Sequence, residues 1–462
     1  MISQNLRSKI LFVTWSISIG LITLTLAFTL GAAVFRSISL GGDSVPRVMR
    51  PVVETLAELP SFILKSAAEL KYVISLTPSA LLLPKGNITN ANWINKFPAP
   101  EDDGYLLLPG ISPGENQSIV QLIRVADGQV IAKWKPDWKY IHSQITGHRF
   151  SPKGSLGNYL AVHPLLLNDA SLIFNTGNSL VRLPLCSSKP SWILNYPFHH
   201  SIELSPKGNS VWVPSVTEVF ATDNEILQGE LRDDSLSEVS FDGRILQNIS
   251  FSSILSKNNQ IGHLVGSTGY TTNTDPVHIN QITPANSNSR YWKLGDLLIS
   301  ARHTSTVYLY RPITGKVIWQ QQGPWLNQHS AHFVNEHAIA VFGNDVYGNK
   351  LLSPFIYKEG HNQIYMYDFE STKTEKLQSE SMSRIKPMTI TEGRVRVLDD
   401  LSIFVEETNN SRIFKLNSTG QLVWSFINTY NNENLGVVSW SRYITRKELQ
   451  TTIGLDHLNC RN

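Results

Sequence analysis

The sequence predicts an all-β protein, a six-bladed β-propeller, preceded by an N-terminal transmembrane helix and a short helical stalk. An uncharged stretch opens the 462-residue chain, and six strand–turn–strand repeats come after it in a region with almost no helical periodicity. Short strands at close spacing with turn signals are typical of sandwiches, barrels and propellers, and internal repetition favours the propeller. We expect residues 1–36 to form the membrane anchor, 37–90 the stalk or linker, and 91–462 the propeller.

The predicted anchor is the stretch Ile10–Phe35, 26 residues without a charge, preceded by Arg7 and Lys9 and followed by Arg36. A helix needs about 20 apolar residues to cross a bilayer, whereas the apolar part of a cleaved secretory signal has about 7–15. We therefore expect an uncleaved anchor. A single N-terminal span usually exports or tethers the domain behind it, so we place the propeller on the periplasmic or extracytoplasmic side.

The predicted stalk is an amphipathic stretch from Ser44 to about Leu83, which Pro51 and Pro60 interrupt. Proline ends or kinks a helix, so several short helices are expected. A juxtamembrane or packing role is favoured over a helix that binds a partner or a membrane surface.

The composition excludes several function classes. Lys and Arg number 40 and Asp and Glu 37, so the net charge of +3 is too small for the basic footprint of a nucleic-acid-binding protein. The two cysteines, Cys186 and Cys460, form no CxxC metal or redox motif. A single bridge between them is an open alternative.

The repeated unit is a hairpin, strand–polar turn–strand, that often ends in tryptophan. The clearest copies are SIVQLIRVADGQVIAKW from Ser118, TVYLYRPITGKVIW from Thr306 and RIFKLNSTGQLVW from Arg412. Weaker copies begin at Ser179, Ser237 and Gln363. Asp-Gly and Thr-Gly at the turns supply the positive φ that tight hairpins need. Six copies predict six blades.

Three histidines occupy equivalent places in a second repeated element: His200, His278 and His329 each stand four positions before a large apolar residue. Equivalent positions in successive blades lie at the same radius and height, so these imidazoles should converge near the central channel. His199, His303 and His332 are off this register and are second choices, and His199 should point away from His200 because side chains alternate along a strand.

Arg302 precedes the clearest hairpin and adds a guanidinium, whose rigid fork of donors suits oxyanions. Three histidines with one arginine predict a site for an anion. No metal is expected, because an adjacent arginine would oppose its charge, and no cofactor is expected.

Four segments, in this order, resemble the bacterial arylsulfotransferase family: FHHSIELSPKGN from Phe198, DPVHINQI from Asp275, LLISARHTSTVYLYRPITGKVIW from Leu297 and GPWLNQHSAHF from Gly323. The resemblance covers about residues 100–445. It implies a six-bladed propeller that works outside the cytoplasm. The implied activity moves a sulfuryl group from a phenolic sulfate ester to a phenolic acceptor without a nucleotide sulfate donor.

The resemblance also implies roles for the four predicted site residues. His329 corresponds to the histidine nucleophile that carries a sulfohistidine intermediate. His200, His278 and Arg302 correspond to groups that bind the sulfate and stabilise the transition state, with His278 the expected acid and base. Ser201 and Ser330 stand where the family often has acidic residues that could orient imidazoles.

Two alternatives remain open at this stage. One is a noncatalytic, membrane-tethered propeller that binds a partner or glycan through its loops. The other is a quinoprotein-type dehydrogenase, because TGKVIW at Thr314–Trp319 resembles the repeat that docks a quinone cofactor. Only one good copy of that repeat is present, so this alternative ranks lower.

Overall fold

Six four-stranded antiparallel sheets form the blades of the propeller in the part of the chain that the structure describes. The computed structural model describes residues 81–85, 95–148, 153–217, 232–265, 275–347 and 356–453, together with Gly31 and Leu458. Every described residue except Gly31 belongs to one compact unit, Ala68–Asn462. The six-bladed, all-β prediction is confirmed.

The blades are numbered along the chain and their strands are given from the innermost to the outermost. Blade 1 contains Arg442–Ile444, Tyr105–Gly110, Ile119–Arg124 and Val130–Trp134; blade 2 contains Val162–Leu166, Leu172–Asn175, Ser179–Leu183 and Trp192–Asn195; blade 3 contains Glu203–Leu204, Ser210–Thr217, Asp233–Ser240 and Ile245–Ser250. Blade 4 contains Ile279–Pro284, Leu297–Ala301, Thr306–Arg311 and Lys316–Gln322; blade 5 contains Ser330–Phe333, Ala338–Gly343, Gln363–Asp368 and Lys373–Lys376; blade 6 contains Arg394–Val397, Ile403–Glu407, Arg412–Leu416 and Leu422–Ile427.

The six hairpins read from the sequence are the two outer strands of the six described blades. Their predicted turn glycines adopt positive φ, +71° at Gly128, +67° at Gly315 and +82° at Gly420. The terminal tryptophans pack between blades, as Trp134 shows by donating its indole N–H at 2.9 Å to the carbonyl of Ala170, in the turn between the two inner strands of blade 2. The repeat therefore encodes both the turn and the contact with a neighbouring blade.

The carboxyl-terminal segment closes the ring. Arg442–Ile444 pairs with Tyr105–Gly110 and supplies the innermost strand of blade 1. Leu82–Pro84, which the sequence places in the stalk or linker, pairs with Asn434–Gly436 in the same region. This pairing joins the last blade to the first, while each blade keeps its own short outer edge.

The apolar core of the described residues is divided into six clusters, one at each interface between neighbouring blades. Polar and small residues are consequently left for the central axis, where the inner strands of all the blades approach one another. Short helices decorate the blades: Trp138–Gln144, Phe251–Lys257, Gly262–Val265, Ser379–Ile385 and Arg446–Thr452, with 3₁₀ turns at Leu156–Asn158 and Thr408–Asn410. Val346–Tyr347 and Ile356–Tyr357 form a further two-stranded sheet.

The predicted anchor and most of the predicted stalk lie outside the described residues. Within the ranges given above, no helix is long and apolar enough to cross a membrane. Cys186 is disulfide-bonded, and the other cysteine of the sequence, Cys460, lies outside the described residues.

Candidate active site

A left-handed residue begins the innermost strand in several blades. His163, His200, His278 and Trp440 have φ values of +47°, +58°, +55° and +59°. Such a conformation costs a non-glycine residue about 1–3 kcal/mol and persists only where the surroundings enforce it. It turns the chain sharply at the end of the central channel, where these rings meet.

The structure brings the three predicted histidines together. The ring centroid of His200 lies 4.9 Å from that of His278 and 6.1 Å from that of His329. Trp440 packs against this group, 5.8 Å from His200 and 6.4 Å from His329. The backbone N–H of Arg302 donates to the carbonyl of His278 at 3.1 Å, which places the arginine beside the cluster.

His329 is only 2% exposed and its tautomer is set by Asn344. The amide nitrogen of Asn344 donates to the carbonyls of Thr389 and Glu392 at 3.1 and 2.9 Å. Its oxygen must therefore be the atom 2.7 Å from Nδ1 of His329, and it accepts the proton on that nitrogen. The lone pair of His329 consequently resides on Nε2.

The pKa of His329 lies well below its ordinary value, first because burial disfavours the imidazolium and then because Arg302 repels it. Burial and the neighbouring imidazole of His278 likewise hold the pKa of His200 well below the usual range. Both rings are therefore neutral at neutral pH. A neutral imidazole with a free Nε2 lone pair is a nucleophile.

His278 is oriented by a carboxylate. Its Nδ1 lies 2.5 Å from Oδ2 of Asp275, which stands three residues earlier in the chain. Burial would raise the pKa of Asp275, but the hydrogen bond from His278 and the charge of Arg232 lower it. This contact fixes Nδ1 of His278 on the carboxylate and leaves Nε2 as the other ring nitrogen, facing the cluster.

His200 is oriented through His199. Arg232, which can only donate, lies with Nη2 3.1 Å from Nε2 of His199. Nε2 of His199 is also 3.5 Å from Asp234, but the shorter arginine contact makes it an acceptor. His199 therefore donates from Nδ1 to Nδ1 of His200 at 2.8 Å, and His200 keeps its own proton on Nε2.

The expected outward direction of His199 is wrong, because the left-handed conformation of His200 interrupts the extended chain. His303 also belongs to the cluster, since its ring stacks on His278 with centroids 4.6 Å apart. His332 does not: its Nε2 accepts the backbone N–H of Val397 at 3.0 Å, further along the channel.

Arg302 supplies an unused donor. Its Nε is buried and has no hydrogen-bond partner among the described residues. Burial lowers the pKa of its guanidinium, and the only opposing influence comes from Asp275. A half-buried cation with an unpartnered Nε donor beside neutral imidazoles is suited to an incoming oxyanion.

Sequence reasoning missed several residues of the site. The spacing that identified the other histidines could also have identified His163, because it too stands four positions before a large apolar residue, Leu167. Its ring lies 5.3 Å from Trp440. Arg232 and Asn344 carried no comparable signal, since they lie outside the repeated elements.

Asp275, His278 and His303 offer ligand atoms within 4.8 Å of one another, a spacing that a metal ion could bridge. Two of these atoms are already hydrogen-bonded, Nδ1 of His278 to the Asp275 carboxylate and Nδ1 of His303 to the Asp275 carbonyl. Arg232 lies 3.1 Å from the same carboxylate and would repel a cation. These residues fit a hydrogen-bonded positioning network better than a metal centre.

The chain is similar to two solved structures at low identity. A protein of unknown function from Bacteroides caccae is 13% identical with a TM-score of 0.45, covering 74% of this chain and 99% of its own. The hydrazine synthase of Kuenenia stuttgartiensis is 10% identical with a TM-score of 0.38, covering 72% and 80%. No curated protein matches the chain.

The family comparison is more specific. The family model described as Arylsulfotransferase (ASST) matches residues 168–429. This range is more than half of the chain and contains His200, His278, Arg302 and His329. The chain therefore belongs to the arylsulfotransferase family.

Proposed function

We propose that this protein is an aryl sulfotransferase that moves a sulfuryl group from a phenolic sulfate ester to a phenolic acceptor through a sulfohistidine at His329. Family membership supports aryl sulfotransferase activity at the family level. The observation that carries the mechanism is the hydrogen bond from Nδ1 of His329 to Asn344, because it leaves the Nε2 lone pair free beside His200 and His278.

In the first half of the proposed reaction, Nε2 of His329 attacks sulfur and the bond between sulfur and the aryl oxygen breaks. Protonated His278, positioned by its hydrogen bond to Asp275, gives its Nε2 proton to the departing phenolate. The Nε guanidinium donor of Arg302 and the Nε2–H of His200 neutralise charge on the sulfuryl oxygens. Phenol leaves, and His329 holds the sulfuryl group with its Nδ1 proton still hydrogen-bonded to Asn344.

In the second half, the acceptor phenol gives its proton to the now neutral His278 and attacks sulfur. The bond between sulfur and His329 breaks, the lone pair returns to Nε2, and a new aryl sulfate leaves. The protonation state of every residue is restored. This sequence predicts ping-pong kinetics, because the donor product leaves before the acceptor reacts.

Ser201 and Ser330, at the two positions where the family often has acidic residues, form hydrogen bonds to backbone groups here. Ser201 accepts the backbone N–H of Ile282 at 3.2 Å, and Ser330 donates to the carbonyl of Val395 at 3.3 Å. Each hydroxyl ties one blade to another. Asn344 and Asp275 orient the imidazoles instead, so the proposed chemistry does not need carboxylates at the serine positions.

The test is transfer from a chromogenic aryl sulfate to a phenol by His329→Asn and by a matched control, His332→Asn. His332 lies in the same region of blade 5 but outside the cluster. We expect the first variant to lose transfer and the second to retain it. Full transfer by His329→Asn would refute the assignment, and a normally folded wild-type protein without transfer would favour a noncatalytic propeller.

We also propose that the protein is held in a membrane by residues 1–36, with the propeller on the periplasmic or extracytoplasmic side. The uncharged 26-residue stretch supports the anchor. The disulfide at Cys186 supports an oxidising compartment, because disulfides persist there and are rare in the cytosol. Alkaline extraction of membranes tests the anchor: the full chain should stay in the pellet, and release into the supernatant would contradict it.

A further inference from the structure

A second cavity lies further along the central channel than the histidine cluster, and it is lined by three arginines and by the carboxylates Glu203, Glu336, Asp399 and Glu448. This cavity of about 830 Å³ is lined by the inner strands of all six blades. None of His200, His278, Arg302 and His329 lines it. Glu203, Gln281 and His332 do, each three positions after a site histidine, which places the cavity roughly 10 Å further along the strands.

Two of the three arginines that line this cavity are paired. Arg442 lies 3.2 Å from Glu203 and donates to the carbonyl of Pro164 at 2.8 Å. Arg396 forms an ion pair with Glu448. These two cations are therefore neutralised by the protein itself.

Arg394 is different. It is 7% exposed, its Nε has no hydrogen-bond partner, and no carboxylate of the described residues forms an ion pair with it. Burial, and then the repulsion of Arg442, lower its pKa to about 10, so the guanidinium is still charged at neutral pH. Glu203 and Glu406 attract this cation from a distance, but neither contacts it directly, and a buried donor without a partner is costly, which makes this position receptive to an anion.

The one described contact of the Arg394 guanidinium does not satisfy it. Its Nη1 faces Nε2 of His163. The backbone N–H of Ile202 donates to Nδ1 of that ring at 2.9 Å, so the neutral imidazole must carry its proton on Nε2. Two donors therefore face each other, and Arg394 lacks an acceptor there.

His332 adds a second unused donor to the same cavity. Its Nε2 accepts the N–H of Val397, so its proton is on Nδ1. That nitrogen is buried and unpartnered among the described residues. Leu165 and Phe333 form an apolar part of the cavity wall, and the volume of the cavity is far larger than an inorganic ion requires.

We propose that this cavity binds a small organic anion, whose oxyanion group contacts Arg394 and His332 and whose apolar body lies against Leu165 and Phe333. The shared chemistry of the ligand is a sulfonate, sulfate or carboxylate head on an apolar group. This site is distinct from the transfer site, and its existence does not depend on the transfer reaction.

The test uses the full chain in an Arg302→Met background, which removes the unpaired cation of the transfer site. Calorimetric titration with benzenesulfonate, and separately with inorganic sulfate, measures what remains. We expect benzenesulfonate to bind more tightly than sulfate. Adding Arg394→Met should weaken its binding at least about tenfold, since charged hydrogen bonds are lost. Adding Arg311→Met, which removes a paired arginine on the outside of blade 4, should leave it unchanged.

Thermal unfolding separates binding from a structural role. Without ligand, Arg394→Met should be at least as stable as its parent, because a buried charge that lacks a direct ion pair is removed. Unfolding at a much lower temperature would assign Arg394 to the fold and overturn the proposal. Benzenesulfonate binding that survives Arg394→Met, no binding at all, or equal affinity for inorganic sulfate would each overturn it as well.

Discussion

Replacement of Asn344 by alanine isolates the tautomer control of the nucleophile. It removes the acceptor that lies 2.7 Å from Nδ1 of His329 and leaves that buried donor unpaired. Attack on sulfur gives the ring of His329 a positive charge, so this hydrogen bond becomes a charged one in the transition state, worth about 1.5–3 kcal/mol, and each 1.36 kcal/mol is a factor of ten in rate. We therefore expect sulfohistidine formation to slow by about 10- to 150-fold with the KM for the donor unchanged. Rapid-quench measurement of phenol release in the first turnover reports this step.

The matched control is Asn428→Ala. Asn428 is equally a buried amide whose nitrogen donates to two backbone carbonyls, those of Ile111 and Gly436. It lies near the closing strands and contacts none of the site histidines. Both alanine variants should lose similar stability, but only Asn344→Ala should slow the first turnover. An unchanged rate in Asn344→Ala, or an equal fall in the control, would refute the tautomer argument.

Asn344→Asp tests the same interaction through the pH dependence of the first-turnover rate. The wild-type pKa of His329 is held well below its ordinary value, so the nucleophile is neutral and its own titration does not lower the rate in the neutral range. A carboxylate at 344 stabilises the imidazolium and raises that pKa. The first-turnover rate should therefore fall with decreasing pH earlier than in the wild type, and an unshifted profile would contradict the contact.

Three further outcomes are expected. Asp275→Asn removes the carboxylate that positions His278 as the acid, so transfer from donors with poorly acidic phenols should fall more than transfer from 4-nitrophenyl sulfate, and equal falls would remove His278 from that role. Arg302→Lys loses the guanidinium fork and should lower kcat by about 10²- to 10³-fold, measured at saturating donor; a change confined to KM would contradict transition-state stabilisation. Glu406→Gln should lower the free energy of unfolding by about 2–4 kcal/mol, because this buried carboxylate accepts backbone N–H groups of the closing segment. Urea unfolding measures the loss, and the control Glu375→Gln, at an exposed residue, should show none.

The blades could be predicted from the sequence because their determinants are local. A hairpin needs a turn glycine and alternating apolar residues, and both lie within about 15 residues of one another. The same periodicity identified His200, His278 and His329, since each begins an inner strand at an equivalent position. His163 has the same spacing, so the same periodicity could have identified it.

The groups that orient these imidazoles could not be predicted in the same way. Asn344 reaches His329 only because a neighbouring strand of blade 5 ends beside it, and its own orientation depends on carbonyls of a later loop. Arg232 joins Asp234 and Asp275 across two blades. The predicted direction of the His199 side chain is wrong because side chains do not alternate between the two faces of a strand across a left-handed residue. Contacts of this kind result from closure of the ring rather than from a local pattern.

The most direct test of the central claim is mass spectrometry of the protein after reaction with an aryl sulfate donor in the absence of acceptor. We predict one sulfuryl group on the peptide that contains His329, lost when a phenol is added and absent from His329→Asn. A sulfuryl group on another residue, or full transfer by His329→Asn with no covalent intermediate, would contradict the account.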